Sequence, residues 1–326
     1  MQKIISCDWG SSALRLRIID AEKRSVLAEV VSEQGISAIY NLWKQSGKQE
    51  MERLSFYQSI LTGQLIKMEE QLGFSLQDEP LVISGMASAN IGMMELSYTA
   101  MPCSADGHDL HMKTTGATDY FRHEMLVISG IRKDNDVMRG EETQLIGCSD
   151  AEGKEDRLFI FPGTHSKHII VKQGKVMDFN TFMTGEFFEL LSKKSILSHA
   201  VEESRDISDR GHVENFEKGI ADGFHLNILH SSFLVRTNDL FYKLTKQQNY
   251  FYLSGLLIGT ELKELASGKM PLTVVSDPWL TKLYSIALQK LGVHGVRYCD
   301  AGEALVAGHC KMYKLWEQGV LITPNN

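Results

Sequence analysis

Two segments, about half a chain apart, place small polar residues directly after an apolar run. In the first, Ile4-Ile5-Ser6-Cys7 leads into Asp8-Trp9-Gly10-Ser11-Ser12; in the second, Leu158-Phe159-Ile160-Phe161 leads into Pro162-Gly163-Thr164-His165-Ser166-Lys167. Turns of Gly with Ser or Thr expose backbone N–H groups in a concavity that suits phosphate oxygens. A carboxylate at Asp8, at the end of a strand, can hold Mg²⁺ directly or through water. Asp8 alone also fits an Asx turn capping a hairpin. A hairpin cap, however, gives no reason for a second turn of the same kind, so the pair reads as a clamp for nucleotide phosphates, with Gly10, Ser11, Ser12, Gly163, Thr164, His165, Ser166 and Lys167 as the contacts. Lys167 can supply a point charge to phosphate or to a substrate carboxylate, and His165 a hydrogen bond to either. The structural alternatives are a solvated lysine and a histidine packed at a domain seam.

A second group of residues suits proton transfer. Glu141 and Glu142 follow Arg139-Gly140 and open a short helical stretch. A carboxylate within reach of an attacking hydroxyl is what phosphoryl transfer to an alcohol asks of a protein. Acids are also common in a first helical turn because the dipole favours them there. Arg139 beside them can orient one carboxylate or grip an anionic group bidentately. Further on, Ser254-Gly255-Leu256-Leu257-Ile258-Gly259 sets two glycines around an apolar run. Either Gly255 or Gly259 lets an adenine ring lie against backbone, or both serve close helix packing.

These residues need elements to position them. Each copy of the turn reads as strand, turn, strand, short turn, strand. Leu54, Tyr57, Leu61, Leu65, Met68 and Leu72 recur at helical spacing up to Gly73. Leu81–Gly85 and Leu126–Gly130 read as buried strands, and 141–147 as a short helix. Val213, Phe216, Ile220, Phe224 and Ile228 predict one long amphipathic helix. Helices are also expected over 250–264, 279–291 and 300–317, with a strand at 272–275. Strands alternating with helices in both halves make the class α/β with mixed sheets. The hydrophilic stretch 149–157 is the expected boundary between an N-terminal domain, 1–150, and a C-terminal domain, 151–326, with the last helix packing back on the first.

Composition bounds the function. The 326 residues suffice for two domains of ordinary size. A net charge of -7 argues against a general nucleic-acid or anionic-membrane binder. No apolar run approaches the ~20 residues of a membrane helix. The five cysteines are odd in number and scattered, the pattern of reduced thiols in a cytoplasmic protein.

The two-turn plan resembles the sugar kinase, Hsp70 and actin superfamily, in which two duplicated ribonuclease H-like domains (the actin-like ATPase fold) enclose an interdomain nucleotide cleft. More narrowly, the chain resembles the 2-dehydro-3-deoxygalactonokinase family over nearly its whole length. The resemblance rests on Asp8 to Ser12, Ser84-Gly85-Met86, Pro102-Cys103, Val137 to Gln144, Pro162 to Lys167, Thr181 to Glu186 and Leu253 to Gly259. The blocks Arg139-Gly140-Glu141-Glu142-Thr143-Gln144 and Pro162 to Lys167 are the specific ones. The Glu-Glu block is also similar to that of exopolyphosphatases, where the second glutamate is the catalytic one. The chain departs from the family pattern at Ser276-Asp277-Pro278, where a glycine is expected, and at Ala87 to Gly92, which lacks an Arg-Gln-Gly-Trp type of sequence.

The resemblance implies ATP- and Mg²⁺-dependent phosphorylation of the 6-hydroxyl of 2-dehydro-3-deoxygalactonate, a step of galactonate breakdown. Glu142 is then the first choice of base and Glu141 the second, with Asp8 organising the metal. The substrate is a carboxylate, which calls for a cation, Arg139, Arg236 or Lys167, while Ser84, Met86, Ser88 and Thr184 line the sugar side. Neither a nucleic-acid nor a membrane partner is expected, and a homodimer is compatible with the sequence. The rival readings are a polyphosphate or nucleotide phosphohydrolase and a non-catalytic, actin-like sugar sensor.

Overall fold

A computed structural model describes residues 2–149, 155–267 and 270–320. The chain opens with β1 (Lys3–Trp9), β2 (Leu14–Asp20) and β3 (Ser25–Ser32), followed by α1 (Ile36–Gln45), α2 (Arg53–Leu72) and β4 (Leu81–Gly85). Short strands follow: β5 (Thr99–Ala100), β6 (Cys103–Ser104), β7 (Met112–Thr115), β8 (Met125–Ile128), β9 (Ile131–Lys133) and β10 (Asp136–Met138), then α3 (Glu141–Cys148). The pattern restarts with β11 (Arg157–Phe161), β12 (Ser166–Lys172) and β13 (Lys175–Phe182), then α4 (Thr184–Lys194), α5 (Arg210–His225), α6 (Ile228–Leu240) and α7 (Lys246–Glu261). It ends with β14 (Leu272–Ser276), α8 (Pro278–Lys290), β15 (Arg297–Asp300) and α9 (Ala301–Glu317).

One sheet is ordered β3-β2-β1-β4-β8-β7 and another β15-β14-β11-β12-β13-β6. Counted within each repeat, the first four strands stand third, second, first, fourth in both sheets, and one more parallel strand, β8 or β15, follows the fourth. The first strand pairs antiparallel with the second in β1–β2, and parallel with the fourth in β1–β4 and β11–β14. This duplicated order is that of ribonuclease H-like domains, and the fold is the actin-like ATPase fold.

The chain forms two compact units that are not continuous halves. The first comprises Met1–Glu155, Ile170–Phe179 and Ala301–Asn326; the second comprises Asp156–Ile169 and Asn180–Asp300. Most of the hydrophilic stretch expected as the boundary lies outside the described residues. In the first unit, α2 lays Tyr57, Leu61, Leu65 and Met68 on a core with Ile5, Cys7, Leu16, Ile83 and Val127 from the sheet. In the second, Phe216 and Ile220 of α5, Phe251 and Ile258 of α7, and Tyr284 and Leu288 of α8 enclose Ile160 and Val274.

The helix expected through Ile228 is two helices. Leu226 is extended, and Asn227 begins α6 by accepting the N–H of Leu229 with its side chain at 2.9 Å. An Asn N-cap competes successfully with continuation because it satisfies a donor that the helix end would otherwise orphan. Helices α1 and α4 were not expected. Both are amphipathic, but only Ile36 and Ile39 are fully buried on α1, and α4 packs Phe188 and Leu191 against the core only partly buried.

Candidate active site

In the first unit, Asp8 sits inside β1 rather than at its end, in register with Arg15 of β2 and Ser84 of β4. The strand runs on because Trp9 is itself a core residue. Its ring meets Tyr57 edge-on at 5.6 Å, and its indole N–H donates to Gln34 O at 2.9 Å. Asp8 is a quarter exposed and lies 3.4 Å from Arg15 Nη1. Burial pushes its carboxyl above the usual range against the pull of Arg15 and Arg17, and the charge of Glu141 adds to the rise. The turn that follows is held by the start of α1, where Ile36 and Ser37 N–H donate to Gly10 O and Ser11 O at 2.9 and 3.1 Å. A Cβ at Gly35 would lie 2.3 Å from Ser11 O, so only glycine permits this approach. Among the described residues, no hydrogen bond uses the N–H groups of Ser11 and Ser12.

The paired glutamates begin α3 after Gly140, whose φ of 113° strains any other residue. Glu142 is 1% exposed. Its Oε2 accepts Gly140 N–H at 2.6 Å, and its Oε1 accepts the Thr143 hydroxyl at 3.1 Å. Burial first, and the neighbouring charge of Glu141 second, push Glu142 from 4.5 up to about 7. Glu141 accepts Arg139 N–H at 3.1 Å. Glu141 is thus felt electrostatically by both Asp8 and Glu142.

Arg139 is not a bidentate anion grip here. Its Nη1 donates to Ser88 O at 2.7 Å and to Ser88 Oγ, its Nη2 to Leu96 O at 3.4 Å and its Nε to Tyr98 OH at 3.4 Å. The guanidinium also stacks 4.1 Å from the Tyr98 ring centroid. It braces the segment 88–98, which overlaps the stretch Ala87 to Gly92 where the sequence departs from the family pattern. Ser88, fully buried, is engaged by Arg139, and Ser84 by His309, whose Nε2 lies 3.0 Å from Ser84 Oγ and whose Nδ1 lies 2.6 Å from Ser6 Oγ. Burial, followed by the charge of Arg17, drives His309 down to about 3, so it is neutral, with one ring nitrogen donating and the other accepting. Ser84 and Ser88, expected to line the sugar side, thus have their hydroxyls in protein contacts. Met86 is half-buried against the core of the first unit.

In the second unit, Gly163 N–H donates to Ser166 Oγ at 3.3 Å, and Thr164 O accepts Glu186 N–H of α4 at 3.0 Å. A Cβ at Gly185 would lie 2.6 Å from Gly163 O, so α4 seats directly on the turn. His165 pairs its Nε2 with the Glu186 carboxylate. Lys167 is 4% exposed, and its Nζ donates to His165 O at 2.8 Å, bracing the same turn. Thr184 donates its hydroxyl to Glu261. Gly163, Thr184, Phe188, Leu257, Leu283 and Tyr284 line part of a small apolar pocket of about 80 Å³ beside the turn.

Gly255 and Gly259 face inward. Added Cβ atoms would lie 2.1 Å from Phe216 O and 2.3 Å from Ile220 O of α5. Close packing of α7 on α5 therefore accounts for both glycines, and the expectation of a glycine lying open to an adenine ring is corrected. Arg236 is partly exposed on α6 and pairs with Asp239 at 2.9 Å. Tyr98, Glu261, Tyr284 and His309 had no sequence signal. His309 and Ser84, for instance, are 225 residues apart and belong to no shared motif.

Comparisons with known proteins place the chain in a family. The family model described as 2-keto-3-deoxy-galactonokinase matches residues 8–312. The chain is 33% identical to the probable 2-dehydro-3-deoxygalactonokinase DgoK1 of Rhizobium meliloti, covering 92% of this chain and 93% of that one. It is 27% identical to the 2-dehydro-3-deoxygalactonokinase of Escherichia coli, covering 89% and 90%. The crystal structure of a putative 2-dehydro-3-deoxygalactonokinase protein from Sinorhizobium meliloti superposes with a TM-score of 0.75 at 30% identity, covering 96% of this chain and 97% of that one. With a family model matched from the Asp8 strand to α9, the chain belongs to the 2-keto-3-deoxy-galactonokinase family.

Proposed function

We propose that this chain transfers the γ-phosphoryl group of ATP to the 6-hydroxyl of 2-dehydro-3-deoxygalactonate, acting in the cytoplasm. The observation that carries the reading is Glu142, a buried carboxyl at the start of a helix, held by Gly140 N–H and the Thr143 hydroxyl and brought to about 7 by burial and by neighbouring Glu141. A base whose affinity for protons matches neutral pH accepts one from an alcohol as its oxygen attacks phosphorus. In this account Glu142 takes the hydroxyl proton, the sugar oxygen forms its bond to the γ-phosphorus, and ADP leaves. Gly140 N–H and the Thr143 hydroxyl hold the carboxylate in place.

The turns Gly10–Ser12 and Gly163–Ser166 are assigned to the phosphates through backbone N–H groups, that of Gly163 excepted because Ser166 Oγ accepts it. Lys167 acts by holding His165 O and so the shape of the second turn. The apolar pocket beside that turn is assigned to the nucleoside. Asp8 fits Mg²⁺: it is a partly exposed carboxylate, raised first by burial and last by neighbouring Glu141, and Mg²⁺ commonly takes only one or two protein carboxylates with phosphate and water. When bound, Mg²⁺ neutralises charge on the transferring phosphoryl group. Arg236 is assigned to the substrate carboxylate, Arg139 being engaged by the segment 88–98. Met86 remains with the sugar side, and Thr184, a wall of the apolar pocket, goes with the nucleoside rather than the sugar.

The test is the pH dependence of kcat/KM for wild type and Glu142→Gln. The proposal expects activity to rise as pH passes about 7. It expects the variant to lose about 10²-fold or more of turnover while staying folded. A folded variant with full turnover would move the base role to another residue, first to Glu141.

A further inference from the structure

We infer that Glu261 is a positioning residue that sets nucleotide affinity by fixing the direction of the hydroxyl at the second phosphate turn; the inference rests on the assignment of Gly163–Ser166 to phosphate. Glu261 ends α7, and its side chain is 1% exposed. Its Oε1 accepts His168 Nε2 of β12 at 2.9 Å, and its Oε2 accepts the Thr184 hydroxyl of α4 and the Tyr284 hydroxyl of α8, the latter at 2.7 Å. One carboxylate thus joins four elements. A position that only needed filling would favour an apolar side chain, because a buried carboxylate is costly unless every oxygen is hydrogen-bonded.

The bonds have a direction. A carboxylate only accepts, so Tyr284 gives it its single hydroxyl proton. Tyr284 oxygen is then the acceptor toward Ser166 Oγ, 3.4 Å away, and Ser166 donates to it. With its proton so placed, Ser166 Oγ turns a lone pair to Gly163 N–H at 3.3 Å and leaves the competing contact to Gly163 O, at 3.5 Å, without a donor. The series runs from Gly163 N–H through Ser166 and Tyr284 to Glu261. It occupies Gly163 N–H and holds the turn open for an anion at the next N–H groups. Thr184 and Tyr284 are also walls of the apolar pocket, so the same carboxylate shapes pocket and turn together.

The test measures the Kd of Mg-ADP by calorimetry and the KM of the sugar acid, on the full chain, for Tyr284→Phe, Thr184→Val, Glu261→Leu and Glu261→Gln, with Ser166→Ala as reference. Losing a buried hydrogen bond to a charged group should weaken Mg-ADP binding by about tenfold in Tyr284→Phe and Thr184→Val, with the sugar-acid KM changed by less than about twofold. Glu261→Gln should recover most of what Glu261→Leu loses, because an amide oxygen still accepts both hydroxyls and His168 can meet the amide N–H as its other tautomer. Should Glu261→Leu fail to fold, the two hydroxyl variants decide alone. Unchanged Mg-ADP affinity in both, with Ser166→Ala weakened, would overturn the inference and keep the phosphate assignment. Equal losses in nucleotide and sugar acid would also overturn it, as a general structural effect. No change in any variant, Ser166→Ala included, would remove the phosphate assignment and the inference together.

Discussion

If Glu142 is the base, it combines a functional gain with a stability cost, and the two can be separated experimentally. Its folded value of about 7 lies above the ordinary 4.5, so the folded protein binds this proton more tightly than the unfolded chain does. Stability from this group is full below about 4.5, falls as pH rises between the two values, and stays low above 7. The difference corresponds to on the order of 3 kcal/mol. Glu142→Gln should therefore melt higher than wild type at pH 8 and close to it at pH 4.5, while losing turnover; equal melting at both pH values would mean the carboxyl is not raised. Arg236 makes a different prediction. If it anchors the substrate carboxylate, Arg236→Ala should raise the sugar-acid KM about tenfold, as loss of one charge-assisted contact implies, with little change for ATP. Equal rises in both would remove that role. The residue types of this site were readable from the motifs: acids after Arg139-Gly140, hydroxyls and glycines in two turns. Their engagements were not. That Arg139 braces 88–98, and that Ser84 bonds to His309, depends on partners far away in the chain, which no local spacing encodes.

At the scale of elements, α9 is the strut of the first unit. Gly308 meets Thr143 O of α3, where an added Cβ would lie 2.0 Å away, and Gly147 of α3 meets Ala304 O at a corresponding 1.7 Å. Lys311 caps α3 by donating to Ile146 O and Ser149 O at 2.6 and 2.5 Å. His309, between them, bonds to β1 and β4. The helix carrying Glu142 and the strand carrying Asp8 are thus held by one element. Gly308→Ala should force α9 and α3 apart, costing about 1–3 kcal/mol in denaturant unfolding and lowering turnover more than nucleotide affinity. Gly259→Ala, against Ile220 O, should cost a similar amount of stability in the second unit without a selective effect on ATP; a selective rise in ATP KM would return that glycine to the nucleotide. Elements with a strong apolar period, such as α2 and β4, were legible in the sequence. The break at Leu226-Asn227 was not, because an Asn N-cap leaves the apolar spacing uninterrupted. Helix α4 packs both ways, setting Gly185 on the turn and Phe188 and Leu191, only partly buried, against the core.

For the whole molecule, duplication is the organising fact. The same strand order appears twice, and each copy places a small-residue turn after its first strand. That much followed from the sequence, since the two turns announce themselves half a chain apart. The assignment of Ile170–Phe179 and Ala301–Asn326 to the first unit did not, because it depends on long-range pairing such as Val176 of β13 with Cys103 of β6. A chain of net charge -7 that handles ATP and a sugar acid must draw its anions in by local groups, the turn N–H groups and single cations, rather than by an overall field. A polyphosphate hydrolase would need no acceptor alcohol at all. The most direct test is therefore ADP release from Mg-ATP, measured with no acceptor, with 2-dehydro-3-deoxygalactonate, with its gluconate-derived epimer and with neutral sugars. The account predicts turnover with 2-dehydro-3-deoxygalactonate and almost none without an acceptor or with neutral sugars. Vigorous ADP release that is indifferent to the sugar acid would contradict it.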